Sequence, residues 1–378
     1  MEELGLYLHI PFCVKKCRYC DFLSFPASEE SKKLYAAALI REIRGYREAA
    51  RRYLVTSIFV GGGTPSVMPS QNLREIFRAV YESFEISADA EITMEMNPGT
   101  VNAGLLAFAA EHLNRVSLGV QSAVDTEAAY LGRIHRFEEV KETVEHLRKA
   151  GIRNINLDLM SGIPGQTVQS WEDSLRSVLE LAPEHISAYS LIVEDGTPFG
   201  KLAEEGRLEL PGEEEEREMY HLTGQLLSEY GYEHYEISNY ARPGRRCRHN
   251  MRYWTGGSYL GFGLGASSFF ENARWHNTEE FSEYLQHSFE PQSIVRELAH
   301  LDSKSRIEEF MFLGLRTSDG VTESAFRENF GMEMPELYGD ILRRYLREGF
   351  LSEPDEGRYV LTERGVDVSS IVLADFLL

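Results

Sequence analysis

Near its start the chain carries the segment LYLHIPFCVKKCRYC, residues 6–20. The apolar run Leu4–Ile10 predicts a β-strand. Cys13, Cys17 and Cys20 follow this strand directly, in the spacing CxxxCxxC. A disulfide framework would spread its cysteines along a short chain, so this tight group indicates a metal or redox site.

Three thiolates in this spacing can hold two kinds of metal site. Thiolates are soft ligands that select zinc, copper(I) or iron–sulfur clusters. A structural zinc site needs four closed ligands, and His9 could complete a Cys3His set. A 4Fe–4S cluster normally takes four cysteines, so three would leave one iron open to a substrate or cofactor. The spacing by itself leaves both sites open.

The composition excludes several classes of partner. The 378 residues include 39 basic and 60 acidic side chains, a formal charge of −21. Such a surface disfavours nucleic acid and anionic membranes. No apolar run approaches the roughly 20 residues of a membrane span, and the start, Met1-Glu2-Glu3, lacks the pattern of a signal peptide. We therefore expect a cytoplasmic protein that binds no nucleic acid and has no integral membrane segment.

Apolar runs alternate with helical segments over the first half of the chain. Six runs predict strands, at residues 4–10, 56–60, 91–96, 115–119, 152–159 and 185–191. The segments between them have helical periodicity, such as the one that Ser28 can cap, with Glu29 and Glu30 in its first turn. The repeat predicts an α/β fold with a parallel sheet, closed or partly closed, and an open doubly wound sheet is the alternative.

The rest of the chain departs from this repeat. We expect the strand–helix core at 1–230, a connecting region at 231–300 and a smaller C-terminal domain at 301–378. In the last of these, helical patterns precede a hairpin around Asp355-Glu356-Gly357, which predicts an α+β, winged-helix-like domain. This domain lacks a basic recognition face, so we expect no DNA-binding role.

Residues suited to ligand binding follow the predicted strands. Gly61-Gly62-Gly63-Thr64-Pro65 comes directly after the second strand, where glycines let the backbone approach a ligand; a tight turn is the other interpretation. Glu95, Gln121 and Asp158 lie at the ends of later strands, where α/β folds place ligands. Arg133 could add a fixed cation. We expect these groups to line one rim, although each alone is more often structural.

The CxxxCxxC spacing after the first strand of such a repeat resembles the radical S-adenosylmethionine (SAM) superfamily. The resemblance implies a partial (β/α)6 barrel and a 4Fe–4S cluster on Cys13, Cys17 and Cys20. In that superfamily the open iron binds the amino and carboxylate groups of SAM, and one electron cleaves SAM to methionine and a 5′-deoxyadenosyl radical. The protein places this chemistry and excludes water from it.

Longer motifs narrow the resemblance. LYLHIPFC at residues 6–13, GGGTP at 61–65, GVQS at 119–122 and DLMSGIPG at 158–165 are similar to the family of oxygen-independent coproporphyrinogen III oxidases. The match implies a set of residues in contact with SAM. This set is Tyr7, Gly62, Gly63, Thr64, Glu95, Gln121, Arg133 and Asp158.

Two departures separate the chain from the oxidases themselves. The oxidase motif continues as CxxxCxxCxC, but its last position is Phe22 here, and only twelve residues precede Cys13. Both features resemble the heme chaperone branch of the family. The resemblance implies a protein that binds heme and passes it to an acceptor apo-hemoprotein, and a homodimer is one assembly it leaves open. Oxidative decarboxylation of porphyrinogen propionates is the enzymatic alternative, and a zinc-stabilised binding protein is a third.

The sequence HNMRYW, residues 249–254, is similar to the HNxxYW motif of the chaperone branch. The resemblance implies heme contacts from His249, Asn250, Tyr253 and Trp254. A neutral imidazole is a good axial ligand of heme iron, and the aromatic rings offer flat apolar faces to a porphyrin. Core packing of the same side chains is the alternative.

Several arginines lie around this motif in an otherwise acidic chain. They are Arg242, Arg245, Arg246, Arg248 and Arg252. Arginine pairs well with carboxylates, so this loop could neutralise the two heme propionates or dock an acidic acceptor; a solvated loop is the other interpretation. The fourth cysteine, Cys247, lies among the arginines and is not assigned to the cluster.

Overall fold

The computed structural model describes all 378 residues, and its first half alternates strands with helices. The strands are β1 (Glu2–Ile10), β2 (Tyr53–Gly62), β3 (Glu85–Met96), β4 (Arg115–Gln121), β5 (Ile155–Ser161) and β6 (His185–Ser190). The helices are α1 (Glu29–Gly45), α2 (Ser70–Ser83), α3 (Ala103–His112), α4 (Asp125–Leu131), α5 (Phe137–Lys149) and α6 (Val168–Leu179). Each of the six predicted runs lies largely within one of these strands.

Strands β1 to β6 are parallel and lie side by side in chain order. A doubly wound sheet would reverse its strand order partway, so that alternative is wrong. A closed barrel would pair β1 with β6, but β1 pairs on its second side with a strand from later in the chain. The sheet is therefore a partial barrel, as the resemblance implies.

Helix α1 shows how local sequence sets these elements. The hydroxyl of Ser28 accepts the N–H of Ser31 at 3.1 Å, which confirms Ser28 as the N-cap. Tyr35, Leu39 and Ile43 then recur at helical spacing and are completely buried against the sheet.

The middle of the chain extends the same sheet at both edges. Its elements are α7 (Pro198–Glu204), α8 (Glu213–Glu229), β7 (Glu233–Glu236), β8 (Asn239–Ala241), α9 (Arg248–Trp254), β9 (Tyr259–Phe262), β10 (Ser267–Phe270), β11 (Ala273–Asn277), α10 (Phe281–His287), α11 (Pro291–Ile294) and β12 (Val295–His300). Strand β9 pairs in parallel with β1, and β10 to β12 continue beyond it; β8 and β7 continue beyond β6. Helix α9, which carries the HNxxYW residues, lies between these two extensions in the chain.

The C-terminal segment has a separate apolar core, formed by residues between Ile307 and Phe376. Its elements are α12 (Ser303–Gly314), β13 (Val321–Thr322), α13 (Glu323–Phe330), α14 (Met334–Glu348), β14 (Leu351–Asp355), β15 (Arg358–Leu361), α15 (Glu363–Asp367) and α16 (Ser369–Ala374). The three strands form an antiparallel sheet, and β14 and β15 are the predicted hairpin. None of the helices in the protein combines the length and apolar composition needed to cross a bilayer.

Candidate functional site

The three neighbouring cysteines lie on the loop that follows β1. The N–H of Cys13 donates to the carbonyl of Phe25 at 3.1 Å, and the N–H of Phe25 donates to that of Pro11 at 2.9 Å, so the loop returns to its start. The N–H of Arg18 donates to the carbonyl of Leu131 at 2.9 Å, which ties the loop to the end of α4. The three thiols are partly exposed, and none forms a disulfide.

A cavity of about 350 Å³ lies beside this loop, at the carboxyl ends of the parallel strands. All three cysteines line it, together with seven of the eight residues predicted to contact SAM. These seven are Gly62, Gly63, Thr64, Glu95, Gln121, Arg133 and Asp158. The eighth, Tyr7, is not in the lining; its hydroxyl hydrogen-bonds to His9 Nδ1 at 3.0 Å instead.

Both ring nitrogens of His9 are engaged inside the protein. Nδ1 faces the Tyr7 hydroxyl, and Nε2 lies 3.1 Å from the carbonyl oxygen of Leu23. His9 therefore has no nitrogen left to complete a Cys3His zinc site. No three His, Cys, Asp or Glu side chains converge as ligands of one ion would. Thiolates that bind different irons of one cluster need no such convergence, so the donor set fits a cluster.

Polar groups face the cysteine sulfurs. The Thr64 hydroxyl lies 3.5 Å from Cys13 Sγ, and Arg133 Nη1 donates to Cys17 Sγ at 3.8 Å. Burial raises the pKa of the Cys20 thiol, because a thiolate loses water there. A coordinated metal reverses that preference, since a coordinating thiol is deprotonated outright.

Arg133 presents an unsatisfied donor at this cavity. Its Nη2 donates to Asn97 Oδ1 and to the carbonyl of Gly119, each at 2.6 Å. Its Nε is buried without any hydrogen-bond partner. Buried polar atoms rarely stay unpaired unless a ligand, ion or water satisfies them. A carboxylate-bearing cofactor in the cavity is the kind of group that would do so.

Two buried carboxyl groups lie in the same cavity. Glu95 Oε2 accepts the N–H of Gly62 at 3.1 Å, and burial together with the nearby Asp158 raises the pKa of Glu95 to about 8. Asp158 accepts from Ser117 at 3.0 Å and from Asn156 at 2.7 Å, and burial raises its pKa as well. A cationic group in the cavity would favour the ionised form of both carboxyls.

Gln121 has a backbone conformation that non-glycine residues rarely adopt, with φ of 71°. Its Oε1 accepts the hydroxyl of Tyr189 at 2.9 Å, which fixes the side chain. Sequence reasoning missed Tyr189, Asn97 and Tyr19, which also line the cavity. The rule that selected Glu95, a position at the carboxyl end of a strand, applies to two of them, because Tyr189 is the next-to-last residue of β6 and Asn97 directly follows β3.

The glycine run is required by packing within the chain. A Cβ on Gly63 would lie 2.7 Å from the backbone oxygen of Phe12. Gly62 has φ of 111°, and a Cβ there would lie 2.6 Å from the His9 ring. The tight turn therefore accounts for these glycines by itself, and their contact with a ligand remains a prediction.

Helix α9 buries the histidine of the HNxxYW motif. Nδ1 of His249 lies 2.9 Å from the Ser57 hydroxyl, and Nε2 lies 2.8 Å from the Tyr253 hydroxyl. The His249 ring stacks on Phe59 with 5.3 Å between ring centroids. Burial lowers the pKa of His249 to about 3, so the imidazole is neutral. His249 and Tyr253 thus face the barrel, and Asn250 is half-buried beside them.

Trp254 faces a different neighbour from His249. The guanidinium carbon of Arg316 lies 4.7 Å from the Trp254 ring centroid, which brings α9 against the C-terminal domain. The indole Nε1 of Trp254 has no hydrogen-bond partner. The structure therefore divides the four predicted heme contacts between the barrel side and the outer side of α9.

Most of the arginines around the motif have partners within the chain. Arg246 pairs with Asp319 at 2.8 Å, Arg248 with Asp89 at 3.5 Å, and Arg252 with Glu3 at 2.9 Å. The Arg242 guanidinium lies over the ring of Tyr232. Arg245 has no such contact, so three of the five arginines are already paired with carboxylates, and Arg242 and Arg245 are not.

Cys247 is separate from the three-cysteine loop. It is completely buried, and its Sγ lies 3.5 Å from Glu91 Oε1. Burial raises its pKa to about 12. This thiol packs under α9, consistent with its exclusion from the cluster set.

Comparison with known proteins gives concordant results. The radical SAM superfamily model matches residues 7–178, and the HemN C-terminal domain model matches residues 301–368. The heme chaperone HemW of Lactococcus lactis is 36% identical over 98% of this chain and 97% of its own length. The HemW of Bacillus subtilis is 35% identical over 98% of each chain.

A solved structure gives the same result for the fold. The radical SAM enzyme coproporphyrinogen III oxidase (HemN) of Escherichia coli superposes with a TM-score of 0.87, at 23% identity, over 100% of this chain and 90% of the other. The fold is that of the radical SAM class. At the level of whole-chain similarity, the chain belongs to the HemW heme chaperone family.

Proposed function

We propose that this protein is a heme chaperone that carries a 4Fe–4S cluster with exchangeable SAM and passes heme to an acceptor apo-hemoprotein. The HNxxYW helix carries the proposal, because α9 joins the barrel to the C-terminal domain and presents Trp254 to the outside of the barrel. Similarity to the heme chaperones of Lactococcus lactis and Bacillus subtilis over nearly the whole chain supports it.

Cys13, Cys17 and Cys20 would hold the cluster, and the adjacent cavity would hold SAM. Together these groups supply one-electron chemistry when bound. The chain's own residues bind and orient: Arg133 offers its unpaired Nε to a carboxylate, and Glu95 accepts from a cationic group.

His249, Asn250, Tyr253 and Trp254 would contact the heme. The neutral imidazole of His249 is the form that binds iron. Ligation by Nε2 requires the Tyr253 hydroxyl to leave that nitrogen, because Ser57 already occupies Nδ1. Heme binding at His249 would therefore open the barrel side of α9.

A transfer experiment tests the chaperone function. Cluster-reconstituted protein is loaded with one heme equivalent under anaerobic conditions and mixed with an apo-hemoprotein, and the absorption of the holo-acceptor is followed. We expect faster transfer than from heme bound to serum albumin. Transfer no faster than from albumin would contradict the proposal.

Radical decarboxylation is the competing function, because the cavity brings together seven of the eight residues predicted to contact SAM. The same reconstituted protein is incubated with coproporphyrinogen III, SAM and a reductant in the absence of oxygen. We expect no decarboxylated product, because Phe22 replaces the last cysteine of the oxidase motif. Product formed in multiple turnovers would favour the enzyme.

A further inference from the structure

A second cavity, of about 610 Å³, lies between the extended sheet and the C-terminal domain, and we call it the interdomain cavity. Its walls come from α8, from β7 and β8, from the segment that follows α12, and from the start of α15. The volume falls within the range of about 300–1,000 Å³ that ligand pockets occupy. None of the residues predicted to contact SAM or heme lines this cavity.

Three carboxyl groups of the interdomain cavity have no cationic partner. They belong to Glu229 at the end of α8, Glu236 at the end of β7 and Glu363 at the start of α15. No lysine lines the cavity, and the guanidinium of its one arginine, Arg316, lies over the Trp254 ring and forms no ion pair. The lining therefore carries an excess of negative charge.

The two histidines of the lining do not balance this charge. His221 Nε2 lies 3.4 Å from Asp367, so its contact is with a carboxylate outside the set of three. Burial lowers the pKa of His234, whose Nε2 lies 3.1 Å from the carbonyl oxygen of Ile237, so this imidazole is neutral. A ligand that entered the cavity would meet carboxylates that are still unpaired.

Glu236 is the most deeply buried of the three, with 4% of its surface exposed. Both of its side-chain hydrogen bonds fall on Oε1, from the N–H of Ser238 at 3.1 Å and from the side-chain amide of Asn239. Burial raises its pKa, because the carboxylate loses water there. Buried charges are normally paired, so a cationic ligand would stabilise this carboxylate in particular.

An unpaired hydroxyl group and aromatic rings line the same cavity. The Tyr220 hydroxyl is buried without any hydrogen-bond partner, which is rare for a buried polar atom unless a ligand or water satisfies it. The rings of His234 and Tyr240 stack with 4.3 Å between centroids, and the Tyr220 ring meets His234 edge-on at 6.2 Å. Aromatic rings beside carboxylates attract organic cations.

We propose that the interdomain cavity binds a small organic cation with two or more ammonium groups, a diamine or polyamine. Its ammonium groups pair with Glu236 and Glu363 and donate to the Tyr220 hydroxyl, and its apolar stem packs against the aromatic rings. A single metal ion suits the cavity less, because no three His, Cys, Asp or Glu side chains converge as ligands of one ion would. Since the lining comes from both sides of the domain boundary, the bound cation links the C-terminal domain to the sheet.

The test is an anaerobic calorimetric titration of the cluster-reconstituted full chain with spermidine, in excess SAM, which competes for the cysteine cavity. Glu236→Gln and Glu363→Gln each remove one charge, and Tyr220→Phe removes the unpaired hydroxyl. Glu356→Gln is the matched control, because Glu356 is exposed in the C-terminal domain and lies outside the cavity. Circular dichroism checks the folding of each variant.

We expect saturable binding of about one spermidine per chain. The affinity should fall about tenfold or more in Glu236→Gln, fall about threefold or more in Glu363→Gln and Tyr220→Phe, and stay within about twofold in Glu356→Gln. Equal affinities in Glu236→Gln and Glu356→Gln would overturn the inference, because spermidine would then bind only to the acidic surface in general. If Glu236→Gln does not fold, unchanged affinity in both Tyr220→Phe and Glu363→Gln would overturn it.

Two further outcomes separate this inference from its alternatives. Magnesium chloride should displace spermidine no better than sodium chloride at the same ionic strength; stronger displacement by magnesium would identify a metal site and overturn the organic cation. The inference is independent of the proposed function, since the cavity contains none of the predicted heme contacts. Saturable binding of heme without saturable binding of spermidine would overturn this inference and leave the chaperone proposal intact.

Discussion

Nε2 of His249 lies 2.8 Å from the hydroxyl of Tyr253, one helical turn later on α9. The Ser57 hydroxyl lies 2.9 Å from the other ring nitrogen. Both nitrogens are thus engaged in a buried position, and an iron ion could reach Nε2 only by displacing Tyr253. If His249 binds heme iron as proposed, the affinity for heme would therefore be coupled to this one side-chain hydrogen bond.

Removing that competitor should strengthen iron ligation at His249. We expect Tyr253→Phe to tighten heme binding by roughly threefold to tenfold, since a net hydrogen bond contributes about 0.5–1.5 kcal/mol. His249→Ala should shift the Soret band, because the iron loses its imidazole ligand. Both are measured by absorption during titration, and an unchanged spectrum in His249→Ala would exclude His249 as the ligand.

The cluster assignment predicts a contrast between two cysteines. Cys17→Ser should lose most of the reconstituted iron and the associated visible absorption, since a three-cysteine set has no ligand in reserve. Cys247→Ser is the matched control, because Cys247 is buried under α9 and lies outside the cavity. Iron and sulfide analysis gives the readout. Equal iron content in the two variants would contradict the assignment.

Arg133 is expected to act in SAM binding and not in heme binding. Arg133→Gln removes the unpaired Nε and the bonds to Asn97 and Gly119, so SAM affinity should fall by about tenfold or more. Heme affinity should remain unchanged. Arg245→Gln, at an exposed arginine without a partner, serves as the control in equilibrium dialysis with labelled SAM. Similar SAM affinity in both variants would contradict the role of Arg133.

Glu42 predicts a pH dependence of folding stability. It is completely buried on α1, where it accepts from Tyr284 at 2.6 Å, from Gly263 at 2.8 Å and from Asn277 at 2.6 Å. Burial raises its pKa from 4.5 to about 7. At a pH between these two pKa values, Glu42 is protonated in the folded chain and ionised in the unfolded chain. The contribution of Glu42 to stability therefore falls as the pH rises from about 4.5 to about 7.

The size of this effect follows from about 1.36 kcal/mol per pKa unit, which gives an upper limit of the order of 3 kcal/mol. Denaturant unfolding of the apo-protein at pH 5 and pH 8 measures it. The fall in stability should be smaller in Glu42→Gln, because all other titrating groups are shared. An equal fall in both proteins would contradict the raised pKa.

The strand–helix repeat was predictable from sequence because its signals are local. Ser28 caps α1, as predicted from its hydroxyl group and from Glu29 and Glu30 in the first turn of the helix. The cavity residues followed from one rule, that parallel strands end at the same edge of the sheet, which brought Glu95 and Asp158 together. The same rule would have selected Tyr189.

Other features depend on contacts between distant segments, and no local pattern reveals them. Strand β9 has only four residues, yet it pairs in parallel with β1, which lies about 250 residues earlier in the chain. The burial of His249 depends on Ser57 and Phe59, almost two hundred residues earlier. The contact between Trp254 and Arg316 likewise follows only from the packing of the C-terminal domain against α9.

Direct heme titration of the cluster-reconstituted protein, under anaerobic conditions and followed by absorption spectroscopy, is the most direct test of the central claim. The proposed function predicts saturable binding of about one heme per chain, with a spectrum distinct from that of free heme. Absorption that rises without saturation, as for heme that partitions nonspecifically, would contradict the assignment of this protein as a heme chaperone.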